Sequence, residues 1–215
     1  MKKIETETFI VNPDIEEYLR NLAPVDDKIL EEMEVLGREG NFPIIGPLVG
    51  KLLYQFTVMI GAKKVFEMGS GFGYSAYWLA KGLKEGGKIT CVEGDEENVL
   101  LAKGFFKKGG MEERAQFHKG DALKIVEKTK GSYDIIFNDV DKEQYPGVFH
   151  KALPKLRKGG LLISDNLLWD GKVLSKNPDE ETRGIQEFTQ LIYRSRELFS
   201  SILPLRDGIS VSIKI

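Results

Sequence analysis

The feature that most constrains the fold is a regular alternation of apolar and helical segments that begins near residue 64. Short apolar runs recur roughly 20–30 residues apart, as KKVFEM, GKITCVE, AQFHKG, YDIIFND and GGLLISDN. Segments of helical period separate them, such as SAYWLAKGL, ENVLLAKGFFKKGG and YPGVFHKALPKLRKG. Strands that alternate with helices predict βαβ units, and therefore a mostly parallel sheet with helices on both faces.

The two ends of the chain depart from this alternation. The closing stretch SSILPLRDGISVSIKI places a turn signal, Asp207-Gly208, between two β-prone runs, and it predicts an antiparallel hairpin. Residues 1–60 instead show helical period over 13–22, 26–40 and 47–60. We expect a Rossmann-like α/β fold with a seven-stranded, mostly parallel sheet, its last strand antiparallel, and a helical N-terminal extension. Residues 1–215 should form a single domain.

Proline and glycine set the expected ends of the N-terminal helices. Pro13 and Pro24 lie where prolines start helices, and Gly37, Gly40 and Gly61 are candidate stops.

Composition and charge narrow the function classes. The net charge of −2 and the pI of about 5.9 argue against a general nucleic-acid binder. A single cysteine, Cys91, excludes an intramolecular disulfide, and no Cys/His cluster indicates zinc. The N-terminus MKKIETETF lacks an apolar region after its lysines, and no apolar stretch is long enough to span a bilayer. We therefore expect a cytoplasmic protein without membrane contact.

The glycine-rich bend VFEMGSGFGYS follows the first strand of the alternation, where such folds bind ligands. Its spacing is G-x-G-x-G, whereas a dinucleotide site needs G-x-G-x-x-G, and a phosphate loop needs a Lys-Ser/Thr pair that is missing here. Both nucleotide-phosphate interpretations fail on spacing.

Acidic residues near the ends of three successive strands favour a different ligand. Glu67 precedes the bend, Glu93 ends the second strand, and Asp121 follows the third. An acid at the second position can accept hydrogen bonds from ribose hydroxyls, and an acid before the glycines suits a cation. S-adenosylmethionine carries a ribose, an adenine, an ammonium and a sulfonium. The alternative for any one of these acids is a solvated strand end.

Three segments, EMGSGFGYSAYWLA, NDVDKEQY and SDNLLWDGKV, resemble the class I S-adenosylmethionine-dependent O-methyltransferases of the catechol and caffeoyl-CoA type. The resemblance covers roughly residues 40–215 and includes the closing hairpin. It departs at GPLVG (46–50), where relatives carry a polar pair, and at Asn138, where an apolar residue is usual. The cofactor contacts that it implies are Glu67, Gly69, Gly71, Ser75, Glu93, Asp121, Ala122 and Asp139.

A second constellation follows the fourth and fifth strands, in FNDVDKEQY and ISDNLLWDG. If these strands are neighbours, Asp139, Asp165 and Asn166 converge, and their oxygens suit Mg²⁺. The alternative is that Asp165-Asn166 only caps a turn. The resemblance also implies that Asp139 and Lys142 are catalytic, with Lys142 as the general base. Asp141 competes with Asp139 as a metal ligand, but the family motif matches Asp139.

Four functions compete at this point. The leading one is metal-dependent methylation of a phenolic or catecholic hydroxyl on a small molecule. The same chemistry on a hydroxylated tRNA base is an alternative, because KGFFKKGG (103–110) combines lysines with two phenylalanines. An amphipathic helix with a solvated face is the preferred explanation of that segment. A non-catalytic S-adenosylmethionine-binding protein and an NAD-dependent dehydrogenase are less favoured.

Other residues receive structural or secondary roles in this interpretation. His118 and His150 match no ligand pattern, and Cys91 and Trp78 are expected to pack in the core. Trp169, after the metal candidates, is expected to form a wall of the acceptor pocket. The family resemblance further implies a homodimer.

Overall fold

The computed structural model describes residues 10–22 and 24–215 of the chain. The predicted helical extension is therefore seen only in part, and the segment MKKIETETF, on which the absence of a signal peptide was predicted, lies outside the described residues. Among the described residues, no helix combines the length and apolar character needed to cross a membrane.

Seven strands form one sheet in the order β3-β2-β1-β4-β5-β7-β6. Neighbouring strands from β3 to β5 pair in parallel, and β7 runs antiparallel to both β5 and β6. This arrangement confirms the predicted fold class, including the antiparallel last strand. The strands are β1 Lys64–Met68, β2 Lys88–Glu93, β3 Ala115–Lys119, β4 Tyr133–Asn138, β5 Leu156–Ser164, β6 Leu198–Leu203 and β7 Ile209–Lys214.

Strand order reverses at β1, which has β2 on one side and β4 on the other. In open parallel sheets, ligands bind at the carboxyl ends of the strands beside such a reversal. The loops that follow β1, β2 and β4 are therefore the expected ligand-binding loops. The glycine-rich bend and Asp139 lie in the loops after β1 and β4, and Glu93 is the last residue of β2.

Helices cover both faces of the sheet, as predicted. One core layer contains side chains of α2 to α5, and the other contains side chains of α6 to α8. Pro13 begins α1 and Gly61 follows α3, as expected. The helices are α1 Pro13–Leu22, α2 Lys28–Glu39, α3 Gly46–Met59, α4 Tyr74–Gly82, α5 Glu96–Lys108, α6 Ala122–Lys128, α7 Tyr145–Ala152 and α8 Glu180–Arg194.

The predicted ends of α2 need two corrections. The helix does not start at Pro24 but at Lys28, because the Asp27 carboxylate accepts hydrogen bonds from the amides of residues 29 and 30 and so caps the first turn. Gly37 does not stop it either. It is buried inside α2, and its carbonyl accepts a hydrogen bond from the Phe42 amide of the following segment. Gly40 caps the helix as predicted.

The segment YPGVFHKALPKLRKG was predicted as one helix, and this is wrong for its second half. Helix α7 ends at Ala152, a 3-10 turn covers Leu153–Lys155, and β5 begins at Leu156. Pro154 lacks the amide hydrogen that would continue the helix. Leu156 then buries its side chain and pairs with Tyr133, before a register shift brings Leu161 beside Ile135.

Candidate active site

The glycine-rich bend has a structural need for each of its three glycines. Gly69, Gly71 and Gly73 have φ values of +80°, +49° and +89°, a region that favours glycine. A Cβ on Gly69 would lie 2.3 Å from the Asp139 carbonyl oxygen, and one on Gly71 would lie 2.9 Å from the Phe42 ring. Gly69 therefore lets the β1 and β4 loops approach each other, and Gly71 lets Phe42 approach the bend. These roles add to the ligand contact that the sequence predicts for the glycines.

Two cavities of about 320 and 480 Å³ lie at the carboxyl ends of the strands. They are the halves of one cleft, because both are lined by Gly69, Glu93, Asp139, Val140 and Asp141. The first cavity continues to Ser75, Lys142 and Trp169, and the second continues to Asp121 and Ala122. The cleft thus brings together residues that the sequence singled out near the ends of five strands, β1 to β5.

Glu93 and Asp121 are held on this cleft by backbone amides. The Glu93 carboxylate accepts hydrogen bonds from the Gly71 amide at 2.8 Å and the Asp95 amide at 2.9 Å. Asp121 caps α6, and hydrogen bonds from the Lys124 side chain and amide keep the pKa of its carboxyl below the usual value. Both carboxylates are fixed in position by these hydrogen bonds before any ligand arrives.

Glu67 lies beneath the cleft and lines neither cavity. Its side chain is fully buried, in a row across the sheet between Cys91 and Phe137. Burial raises the pKa of Glu67 to about 8, although the Ser75 and Ser70 hydroxyls oppose the shift. Among the described residues, neither of its oxygens has a partner in normal hydrogen-bond geometry. The carboxyl is therefore poorly solvated where it lies.

Two acids meet at the ends of the neighbouring strands β4 and β5. Asp139 Oδ1 accepts a hydrogen bond from Lys142 Nζ at 2.8 Å. Asp165 is 6% exposed, and burial and the nearby charge of Asp139 raise the pKa of its carboxyl. The Asn166 amide, which donates to Asp165 at 2.9 Å, and the cations Arg206 and Lys142 act in the opposite direction.

The closing hairpin fixes the loop that carries Asn166. One Asp207 carboxylate oxygen accepts from Asn166 Nδ2 at 3.2 Å, and the other accepts from the Asp170 amide at 2.6 Å. The loop has positive φ at Asn166, Trp169 and Asp170, so it needs this anchor. Sequence reasoning recognised Asp207 only as a turn residue, because nothing local shows which loop the turn contacts.

Lys142 and Trp169 lie on the same wall of the first cavity. Lys142 starts a 3-10 turn, its side chain is 12% exposed, and Nζ lies 5.7 Å from the centre of the Trp169 ring. Trp169 therefore lines the cavity as predicted, whereas Trp78 is buried in the core. The Lys142 amine, the Asp139 carboxylate and the Trp169 indole therefore line the same cavity.

A family model described as O-methyltransferase matches residues 12–215. The chain belongs to the O-methyltransferase family. It is similar to a catechol O-methyltransferase of Niastella koreensis, with 30% identity over 93% of this chain and 96% of that protein. It is also similar to a caffeoyl-CoA O-methyltransferase of Medicago sativa, with 31% identity over 77% of this chain and 72% of that protein.

A solved structure supports the same assignment. The Bacillus cereus O-methyltransferase in complex with SAH has a TM-score of 0.86 and 27% identity, and the match covers 94% of this chain and 97% of that one. The predicted family and enzyme class, an S-adenosylmethionine-dependent O-methyltransferase, are confirmed.

The metal candidates of this O-methyltransferase pass a test of donor chemistry. Within the described residues, no three acidic, histidine or cysteine side chains form a metal-binding group. The candidate set is instead two carboxylates, Asp139 and Asp165, and the amide of Asn166. The Asn166 nitrogen is engaged by Asp207, which leaves its oxygen for a cation, and oxygen donors of this kind suit Mg²⁺.

Some wall residues of the O-methyltransferase were missed from the sequence. Phe42 and Ile44, between α2 and α3, and Glu181, in the first turn of α8, line the first cavity. The segments that hold them match no motif, and their approach to the cleft depends on how the helices pack. No sequence signal identifies them in advance.

Proposed function

We propose that this O-methyltransferase transfers the methyl group of S-adenosylmethionine to a phenolic or catecholic hydroxyl of a small molecule, with a divalent metal bound at the site. The observation that carries this proposal is the position of Asp139. It lines both halves of the cleft, pairs with Lys142 and acts on the charge of Asp165. The names of two relatives, which specify catechol and caffeoyl-CoA, support the acceptor class.

The cofactor would occupy the length of the cleft. Glu93, already ordered by two backbone amides, would accept hydrogen bonds from the ribose hydroxyls. Asp121 and Ala122 on the second cavity would contact the adenine. The methionine part would then lie in the first cavity, against Gly69, Gly71, Ser75 and Asp139. Glu67 would act from beneath, through its neighbours Ser70 and Ser75.

The acceptor would lie in the first cavity against Trp169. Asp139, Asp165 and Asn166 would hold the divalent metal, for which Mg²⁺ is our candidate. When bound, such a metal lowers the pKa of a coordinated hydroxyl and fixes the direction of its attack. Trp169 would orient the aromatic ring, and the surrounding apolar wall would exclude water.

Lys142 is the residue placed to handle the proton. Among the described residues, it is the one basic side chain that lines the first cavity. In its neutral form it can accept the proton that leaves the acceptor oxygen, while that oxygen bonds to the methyl carbon and the carbon–sulfur bond breaks. Asp139 holds Lys142 in position for this step, 2.8 Å away.

The alternatives have less support. In the tRNA alternative, the two phenylalanines of KGFFKKGG would stack on bases, but Phe106 is buried against Tyr77 and Phe117. The lysines lie on the exposed side of α5, as expected for an amphipathic helix. A non-catalytic binder has no need of the Lys142–Asp139 pair. The homodimer and the cytoplasmic location stay predictions.

Product analysis by mass spectrometry tests the proposal. Purified protein is incubated with S-adenosylmethionine and catechol or caffeoyl-CoA, with Mg²⁺, with EDTA, and with Mg²⁺ restored after EDTA. We expect a methylated product that disappears with EDTA and returns with the metal. Transfer that persists in EDTA would contradict the metal assignment. Methylation of tRNA without methylation of either phenol would contradict the acceptor class.

A further inference from the structure

A third cavity, of about 650 Å³, adjoins the acceptor side of the cleft. Phe42, Pro43 and Ile44 line both this cavity and the first half of the cleft. Its remaining wall comes from α1, α2, the start of α3 and the closing hairpin. The cavity is therefore separated from the acceptor position by one short segment of chain.

The charged side chains on this cavity are mostly cationic. Arg20, Arg38 and Arg206 line it, together with one acid, Glu34. The Glu34 carboxylate accepts a hydrogen bond from the Tyr74 hydroxyl at 2.6 Å, and Arg20 pairs with Glu16 in its own helix. These contacts leave a surplus of positive charge, in a chain whose net charge is −2.

Arg38 is the least engaged of the three arginines. Over residues 10–22 and 24–215, its guanidinium makes no hydrogen bond and no ion pair, although it lies on the wall of a concave site. A guanidinium offers five donors in a planar fork, which matches the oxygens of a carboxylate or phosphate. Its donors are thus available to a ligand in this cavity.

Arg206 is held in this cavity by a strained local structure. It has a φ of +50° in the hairpin turn, and its Nη1 donates to the Ile44 carbonyl. Gly46, with a φ of +69°, makes room for it, since a Cβ there would lie 3.2 Å from Nη1. The positive φ of Arg206 is unusual for a residue with a side chain, and such strain concentrates at functional sites.

We propose that the cavity lined by Arg20, Arg38 and Arg206 is a subsite for an oxyanion carried by the methyl acceptor. The oxyanion is a carboxylate or a phosphate at the end of the acceptor opposite its reacting hydroxyl. This assignment rests on the proposed function, because it places the reacting hydroxyl in the neighbouring cleft. It makes the preferred substrate an anionic phenol, not catechol itself.

Direct anion binding tests the subsite without any methyl transfer. Calorimetric titration with inorganic pyrophosphate at low ionic strength is compared for the unmodified protein, Arg38→Glu and Arg196→Glu. Arg196 is an exposed arginine after α8 that does not line the cavity, so its reversal is a charge-matched control. We expect at least tenfold weaker binding for Arg38→Glu and no change for Arg196→Glu. Failure of the unmodified protein to bind, or equal loss in both variants, would overturn the proposal.

Steady-state kinetics then identifies the anion. Catechol, caffeate and caffeoyl-CoA share the reacting group but carry no anion, a carboxylate, or phosphates. For Arg38→Glu we expect KM to rise at least tenfold for caffeate or caffeoyl-CoA, whichever anion the subsite takes, with kcat and the KM for catechol unchanged. An equal rise for all three acceptors would overturn the subsite. If no phenol is methylated, the proposed function fails, and the pyrophosphate titration still decides whether the anion site exists.

Discussion

The acidic side chains on the two sides of the cleft differ in their burial and in the groups that stabilise them. On the β2–β3 side, Glu93 is half-buried and Asp121 is exposed, and both accept hydrogen bonds from backbone amides. On the β4–β5 side, Asp165 is buried close to a second acid, and Lys142 and Arg206 only partly balance the charge. The carboxylates of the first side already have hydrogen-bond partners in the protein. The second side has an excess of negative charge, which suits a cation.

This difference indicates that one side of the cleft binds the cofactor and the other carries the methyl transfer. A site whose carboxylates are satisfied by the backbone is preorganised for a neutral or weakly charged ligand such as a ribose, and it needs little rearrangement to bind. A buried acid close to a second acid is electrostatically unfavourable until a cation binds between them. We therefore expect substitutions on the two sides to separate binding of the cofactor from methyl transfer.

The largest effect should come from Asp165→Ala on the β4–β5 side. Loss of a proposed metal ligand should lower kcat by about a thousandfold or more, equivalent to about 4 kcal/mol in the barrier. Affinity for S-adenosylmethionine should stay within about twofold, because its proposed contacts lie elsewhere. Calorimetry and product analysis measure the two quantities. Asp141→Ala, in the competing acid, serves as the control and should lower kcat much less; the reverse order would move the metal site.

A second substitution tests how the two sides are joined. Gly69→Ala places a Cβ 2.3 Å from the Asp139 carbonyl and also strains a φ of +80°. Gly86→Ala is the matched control, because Gly86 has a φ of +70° and nothing within 4 Å of the added Cβ. We expect Gly69→Ala to lower the free energy of unfolding by about 4 kcal/mol and Gly86→Ala by about 1 kcal/mol. Equal losses in urea unfolding would show that conformation alone, and not close approach, requires the glycine.

The sequence predicted the parallel core of the fold well, for a physical reason. Apolar runs such as YDIIFND and the segment SAYWLAKGL carry their period locally, so the strands and helices could be predicted without tertiary contacts. The errors occurred where a distant contact decides. Leu156 becomes a strand residue because it pairs with Tyr133. Gly37 lies buried inside α2 next to Ile44, a contact that its own sequence neighbours do not show.

The candidate site shows the same limit. Acids at strand ends could be predicted from the sequence, because parallel strands bring their carboxyl ends to one edge. The role of Asp207 could not, since it depends on a hairpin that reaches Asn166 from 41 residues away. The position of Glu67 beneath the cleft could not be predicted either, because its sequence neighbours do not show how deeply β1 is buried.

Glu67 lies beneath the cleft and belongs to neither of these two sides, and its carboxyl links the stability of the protein to pH. Its pKa is about 8 in the folded protein against 4.5 for the free side chain, so the folded state keeps a proton that the unfolded state has lost. The protonated Glu67 carboxyl therefore makes its full contribution to the free energy of unfolding below pH 4.5. This contribution falls as pH rises and is lost above about pH 8. Glu67→Gln cannot ionise, and relative to the unmodified protein its free energy of unfolding should gain about 4–5 kcal/mol between pH 4 and pH 9.

Urea unfolding without cofactor at those two pH values measures this effect. Glu85→Gln is the control, because Glu85 is exposed in the turn before β2 and has no part in the cleft. Its substitution should leave the pH dependence of stability unchanged. If Glu67→Gln also kept the original pH dependence, the buried carboxyl would have to be solvated or partnered in the folded protein.

The smallest effect should come from Glu93→Ala. This substitution tests whether the β2–β3 side contributes to binding of the cofactor and not to methyl transfer. Loss of the carboxylate removes the proposed ribose contact and frees the Gly71 amide, so affinity for S-adenosylmethionine should fall about tenfold, or about 1.4 kcal/mol. The kcat at saturating cofactor should change little, since Lys142 and Asp165 are untouched. Glu112→Ala, on an exposed 3-10 turn, is the control for calorimetry. If Glu93→Ala instead lowered kcat and left affinity intact, the division between a binding side and a reacting side of the cleft would be wrong.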